Sequence, residues 1–365
     1  MREVVFSGPD FSIVRVPGEQ DRPVFVTFDS FDDLLLPGRS GFGEAFLTRH
    51  GFETYHVIPT TNAWYQYPQM RAALEDVRRR IDPGRPVITY GSSMGGYAAF
   101  RFSGLLQAAR VIAFSPQYSV DPARVPWETR WRKLGARLTM LWDDLPPAAD
   151  AQVLVFYDSR SRDRRHARLM AREMRVHHVR LPDSGHPCIA LLQELKLLGP
   201  TICDIAAGQF DAAACEAKVR EVRGASPRYL SNRALRLPRF ARRRRLELAQ
   251  AAIALAPDEP WYRVAHGRLL AVYGAWPAAE ACYAQAMAML PDRAPMLMEY
   301  RRFLMKAGRW DEAEAMVVRA VALNPDGLSY EREIRALRAA RAHAARPALV
   351  RALLWLIRRD SLRGI

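Results

Sequence analysis

Lysine is nearly missing from this 365-residue chain, occurring only at 133, 196, 218 and 306, so its basic side chains are almost all arginine. Cysteine is scarce too. Cys188, Cys203, Cys215 and Cys282 lie far apart and fit no metal-ligand spacing, which sets aside a metal-bound or disulfide-framed domain and leaves four reduced, mostly buried thiols. No stretch approaches the ~20 uninterrupted apolar residues of a membrane span. The opening residues MREVVFSGPDFSIVRV carry an acid and alternate in polarity, so they read as strands and not as a secretory signal. These features together predict a cytoplasmic location. A phosphate loop, a dinucleotide fingerprint and a metal-ligand cluster are also missing, so neither a cofactor nor a metal is expected.

Hydrophobic residues make up 49% and charged residues 25%, an ordinary globular composition that supports a sizeable core. The net charge of +15 would suit an anionic partner. Its one dense run, Arg242 to Arg245, precedes an amphipathic segment and is not interleaved with aromatics. Nucleic-acid binding is therefore not the expected role, since no base-reading module accompanies the charge.

The chain has two halves with different periods. Short apolar runs at Val4–Phe6, Phe11–Val16, Val24–Phe28, Thr54–Ile58, Val87–Tyr90, Val111–Phe114, Val153–Tyr157 and His178–Leu181 read as strands. Helical patterns separate the later ones, at 43–49, 69–81, 95–106, 164–174 and 189–198. A hairpin-like start followed by strand–helix alternation predicts an α/β fold: a mostly parallel sheet with helices on both faces and an antiparallel edge.

Past about Gly208 the strand signal stops, so the expected division is 1–208 and 209–365. In the second half Pro-Asp occurs at 257–258, 291–292 and 325–326, twice at a spacing of 34 residues. Gly267, Leu270, Gly274, Ala279, Tyr283, Ala286 and Pro291 occupy helix-contact and helix-end positions of one unit. Leu304, Gly308, Ala313, Val317, Ala320 and Pro325 follow in step, with Arg301 in place of the first glycine. This spacing resembles the tetratricopeptide repeat, in which small residues sit where paired helices cross. A poorer copy ends at Ala249, Ala252 and Pro257. Arg332–Arg341 and Ala348–Ile357 are expected to form a polar-faced cap. The resemblance implies a protein partner.

The sharpest local signal is Gly91-Ser92-Ser93-Met94-Gly95, a Gly-x-Ser-x-Gly motif between an apolar strand and a helical pattern. A serine on such a turn needs tiny neighbours, and the helix start behind it favours developing negative charge. Ser93 is the candidate nucleophile, with Ser92 at the variable position. A serine hydroxyl needs a base, and the base needs an orienting carboxylate. His186, in the loop Leu181-Pro182-Asp183-Ser184-Gly185-His186, is the candidate base. His177 and His178 fall in a strand, and His166 falls on a helix. Asp158, at the end of a strand, is the preferred acid. Asp163, opening the next helix, is the alternative. The oxyanion hole is expected from the backbone N–H of Met94 and from the loop around Asp29 or Ser30, which lacks the usual glycines.

With those residues in place, positions 1 to about 200 resemble the α/β-hydrolase superfamily. The resemblance implies an acyl-enzyme on Ser93 that water, activated through His186, then cleaves. The insert between Pro116 and Asp150 is short, so any lid is small. Trp64, Tyr65 and Gln66, after a strand end, are candidate substrate contacts, as are the tryptophans of the insert. The leading expectation is a serine esterase or deacylase acting on a small or glycan-linked ester. An acyltransferase using the same triad, or a non-catalytic scaffold, is the alternative.

Overall fold

The computed structural model describes residues 2–32, 35–36, 38–323 and 330–345. All eight predicted strands are present: β1 (Glu3–Ser7), β2 (Phe11–Val16), β3 (Val24–Phe28), β4 (Thr54–Pro59), β5 (Val87–Ser92), β6 (Arg110–Phe114), β7 (Gln152–Tyr157) and β8 (Val176–Arg180). They form one sheet in the order β1-β2-β4-β3-β5-β6-β7-β8. β2 pairs antiparallel with both β1 and β4, and every pairing from β4 to β8 is parallel. This is the α/β-hydrolase arrangement, with the candidate nucleophile immediately after β5.

Parallel strands covered on both faces must be apolar throughout, and β3 and β5 are buried at every position. Period-two alternation divides their side chains between two cores. Val24, Val26 and Phe28 pack on one side with Leu74, Val77 and Phe100. Phe25, Ile88 and Tyr90 pack on the other with Leu47, Ile189 and Ile202.

The first compact unit extends to Asn232, beyond the expected boundary at 208, and the second begins at Arg233. Tertiary packing explains the difference. The helix Ala212–Val222 buries Val219 in the second core, and its Glu216 accepts the Arg180 N–H at the end of β8 (2.8 Å). Asn232 then donates to the Asp183 carbonyl (3.1 Å). The helical period changes at 208, but the burial partner does not.

Among its described residues the second unit is wholly helical. Its helices include Arg242–Leu255, Pro260–Val272, Trp276–Met289, Ala294–Lys306, Trp310–Leu323 and Tyr330–Ala344. Gly274 (φ 77°) and Gly308 (φ 78°) turn the chain, one after each of two successive first helices, in the left-handed conformation that glycine adopts without strain. A Cβ on Gly267 would meet the Tyr283 ring at 3.1 Å and the Ala279 carbonyl at 3.2 Å, so the small residue is set by a helix crossing. Ala279, Tyr283, Ala286, Ala313, Val317 and Ala320 are all buried, which is the tetratricopeptide-like packing. Arg332–Arg341 lies within the last described helix, which buries Ile334 and Leu337. Pro325-Asp326 and Ala348–Ile357 lie outside the described residues. Among the described residues no helix is long and apolar enough to cross a membrane.

Candidate active site

The elbow is built by close backbone approach. Ser93 has φ 53° and ψ −117°, a strained conformation for a non-glycine residue, and its N–H donates to the Phe114 carbonyl on β6 (2.8 Å). A Cβ on Gly91 would lie 2.2 Å from the Gly95 carbonyl oxygen, and one on Gly95 would lie 2.0 Å from the Phe28 carbonyl oxygen. Both glycines are therefore steric requirements, as the motif implied. The helix Met94–Arg101 begins at the next residue, so its free N–H groups face the region around the Ser93 hydroxyl.

The structure brings Ser93 and His186 together: Oγ and Nε2 are 2.9 Å apart. His186 Nδ1 lies 2.9 Å from Asp163 Oδ2. Asp163 is fully buried, whereas the His186 side chain keeps 20% of its surface exposed. Burial by itself would raise the Asp163 carboxyl, but its hydrogen bond with His186 and the nearby charge of Arg130 outweigh that and hold it below the ordinary value.

The carboxylate against His186 is thus the alternative acid, Asp163, and not the preferred Asp158. Asp158 is also buried, but its oxygens are turned to backbone. Oδ1 accepts from Arg160 N–H (2.9 Å) and Asp183 N–H (3.1 Å), and Oδ2 accepts from Gly185 N–H (2.8 Å). Asp183 (φ 66°) and Gly185 (φ 74°) both adopt left-handed backbone, and the carboxylate satisfies the N–H groups that this tight loop turns inward. Asp158 shapes the loop that carries His186.

Three neighbours had no sequence signal of their own. Gln117 is fully buried with Oε1 3.5 Å from Ser93 Oγ, and its only foreshadowing is its place just past the end of β6. Arg130, in the insert, donates from Nη2 to Asp163 Oδ1 (2.8 Å) and to Glu128 Oε2 (2.6 Å). Glu128 in turn meets His166 Nε2 at 3.1 Å, so His166 belongs to a second buried carboxylate–imidazole pair.

At the expected oxyanion edge, Met94 is the buried first residue of the helix, and the approach of Gly95 to the Phe28 and Asp29 carbonyls seats the end of β3 against the elbow. Ser30 Oγ donates to the Ser92 carbonyl (3.0 Å). The Asp29 carboxylate, pushed up to about 6 by burial despite Arg39, accepts the Phe42 N–H (2.8 Å).

Trp64, Tyr65 and Gln66, the expected substrate contacts, are buried and packed into the loops at the carboxyl edge of the sheet. Trp64 is fully buried, with its ring 4.7 Å from that of Trp131. Tyr65 Oη donates to the Asp29 carbonyl (2.8 Å). Gln66 donates to Tyr97 Oη (2.8 Å) and accepts the Leu141 N–H (2.7 Å), fastening the insert to the loop after β4. Loops at the carboxyl edge pack on one another, and the aromatic-rich loop is the inner layer. Phe31, from the loop after β3, and Trp131, from the insert, are half-buried and pack on it, with their ring centroids 5.1 Å apart.

A family model described as the tetratricopeptide repeat matches residues 273–341. No curated protein matches the chain. Among solved structures, the capsule O-acetyltransferase of Neisseria meningitidis serogroup A is similar at 10% identity and a TM-score of 0.39, over 53% of this chain and 93% of that one. Carboxyl esterase 2 from Tuber melanosporum is similar at 16% identity and a TM-score of 0.41, over 56% of this chain and 84% of that one. Est1E from Butyrivibrio proteoclasticus is similar at 12% identity and a TM-score of 0.37, over 57% of this chain and 98% of that one. At such low identity, the chemistry of the first unit is read from its own side chains.

Proposed function

We propose that this chain, an α/β-hydrolase fold followed by tetratricopeptide-like helices, is a serine hydrolase that cleaves a carboxylic ester through an acyl-enzyme on Ser93. The observation that carries the reading is the run of contacts from Ser93 Oγ through His186 to Asp163, at 2.9 Å and 2.9 Å. Asp163 fixes the proton on Nδ1 and leaves Nε2 free to take the Ser93 proton as Oγ attacks the ester carbonyl. The Met94 N–H, with one from Asp29 or Ser30, stabilises the oxyanion. His186 then returns the proton to the leaving alcohol, and a water deprotonated by His186 releases the acid.

A fluorophosphonate probe is expected to label the wild type and not Ser93→Ala. An unlabelled, folded wild type would favour the scaffold alternative. Hydrolysis and transfer share the acyl-enzyme, so free acid against acylated acceptor among the products separates esterase from acyltransferase. The four unpaired cysteines support a reducing compartment such as the cytoplasm.

The helical unit is the proposed seat of a protein partner. It contains a cavity of about 640 Å³ with Arg245, Arg268, Arg301, Arg302 and Lys306 in its lining; Glu299 pairs with Arg268 and Arg302, and Glu333 with Arg301, so five cations face two carboxylates. Leu269, Phe303 and Trp310 supply apolar surface there. Such a lining favours a peptide that alternates acidic and apolar side chains. A fluorescein-labelled peptide of that pattern is expected to bind with an affinity that falls steeply with salt. Arg302→Glu with Lys306→Glu should weaken it roughly tenfold or more, as two reversed charges would. Equal binding of a lysine-rich peptide would refute the charge argument.

A further inference from the structure

The triad does not end at its acid. Asp163 and Glu128 are two carboxylates with fully buried side chains, and one guanidinium lies between them. Arg130 gives Nη2 to Asp163 (2.8 Å), and both Nη2 (2.6 Å) and Nε (3.0 Å to each oxygen) to Glu128. On the far side, His166 Nδ1 accepts the Tyr118 N–H (3.0 Å), so its proton resides on Nε2 and is donated to Glu128. The contacts therefore run Ser93, His186, Asp163, Arg130, Glu128, His166, across the elbow, the last loop, the helix Asp163–Glu173 and the insert.

The geometry assigns Arg130 as a positioning residue for the reaction proposed above, on which this inference rests: it holds Asp163 toward His186 and offsets the second buried carboxylate. With neutral imidazoles, two carboxylates and one guanidinium leave the cluster one negative charge, and the imidazolium formed during attack brings it to neutrality. Without Arg130 two buried negative charges would draw a proton onto His186 before substrate arrives, and a protonated imidazole is no base. Other charged or titratable groups face this cluster as well. Arg162 is 4.0 Å from Glu128 and half exposed, Asp183 is 3.7 Å from Arg160, Asp158 is turned to the loop backbone, and the Cys188 thiol is buried nearby. Because Arg130 belongs to the insert, seating the insert and completing the triad are one event.

The test is the rate of fluorophosphonate labelling against pH for the wild type, Arg130→Gln, Arg130→Lys and Glu128→Gln, with folding checked by near-UV circular dichroism. Arg130→Gln should move the acid limb up by about one pH unit, a shift typical of losing a close opposite charge, and keep most of the alkaline plateau. Glu128→Gln removes a negative charge and should move the limb down. Arg130→Lys should restore the wild-type limb with a plateau lowered several-fold, since an ammonium keeps the charge but not the fork. Opposite shifts from the two neutral variants are beyond a merely structural role. A labelled wild type with parallel losses at every pH and unmoved limbs overturns the inference, and if Arg130→Gln does not fold, the limb of Glu128→Gln decides. A wild type that is never labelled removes the Ser93 reading instead.

Discussion

Asp163→Asn is expected to slow ester cleavage by about 10⁴-fold while leaving a folded protein, whereas Asp158→Asn is expected to cost more stability and less rate. The asymmetry follows from what each carboxylate holds. An asparagine at 163 can turn its NH₂ toward His186, which forces the imidazole proton onto Nε2 and presents Ser93 with a donor where it needs an acceptor. Arg130 retains Glu128 as a partner, so the surroundings stay paired. At 158, an amide NH₂ would face either the Gly185 N–H or the Asp183 and Arg160 N–H groups that the carboxylate now satisfies. A buried donor left without an acceptor costs about 1–3 kcal/mol, and the loop carrying His186 loosens with it. Steady-state rates and melting temperatures of both variants decide the matter. If Asp158→Asn falls to the level of Ser93→Ala while Asp163→Asn stays active, the acid has been misassigned.

The same pairing sets an acid dependence. Asp163 titrates below its ordinary value in the folded chain, so the folded state binds its proton more weakly than the unfolded state does. The stabilisation is fully present above about pH 4 and is lost as the pH falls further, through the folded value. The wild-type melting temperature should therefore fall more steeply in acid than that of Asp163→Asn.

The sequence made the elbow legible because its rule is steric: Gly91 and Gly95 are required by backbone contacts that any such turn makes. All eight strands were legible because buried parallel strands leave apolar runs. The paired helices were legible through Gly274, Gly308 and the small residues between them, which keep a fixed period. The choice between Asp158 and Asp163 was not legible. They lie five positions apart, and which one faces His186 depends on where two left-handed residues turn the loop after β8. Arg130 and Glu128 left no mark because their partners are distant in sequence and no motif constrains the insert. The burial of Trp64, Tyr65 and Gln66 was not legible either, because the insert residues that cover them, Trp131 and Leu141, are distant in sequence.

Gly95→Ala is expected to be the most damaging single-methyl addition at the elbow. The added Cβ would lie 2.0 Å from the Phe28 carbonyl oxygen and 2.8 Å from that of Asp29, both backbone atoms. Neither can swing aside as a side chain would, because β3 is held between β4 and β5 by parallel pairing on both edges. Overpacking of this kind costs about 3 kcal/mol or more. In a domain of this size that is a fall of roughly 6–12 °C in melting temperature, or loss of soluble protein. Gly96→Ala is the control: its Cβ would sit 3.1 Å from the Phe114 carbonyl oxygen and from the Pro116 Cβ, a fit that shifts of a few tenths of an ångström relieve. Relief at Gly95 requires the end of β3 to move away, and that strand end carries residues 29 and 30, from which the second oxyanion donor is proposed. Any folded Gly95→Ala protein should therefore label with fluorophosphonate far more slowly than Gly96→Ala at equal nucleophile integrity. Equal melting temperatures and equal labelling rates for the two variants would mean that β3 does not press on the elbow, and the oxyanion assignment to Asp29 or Ser30 would fall with it.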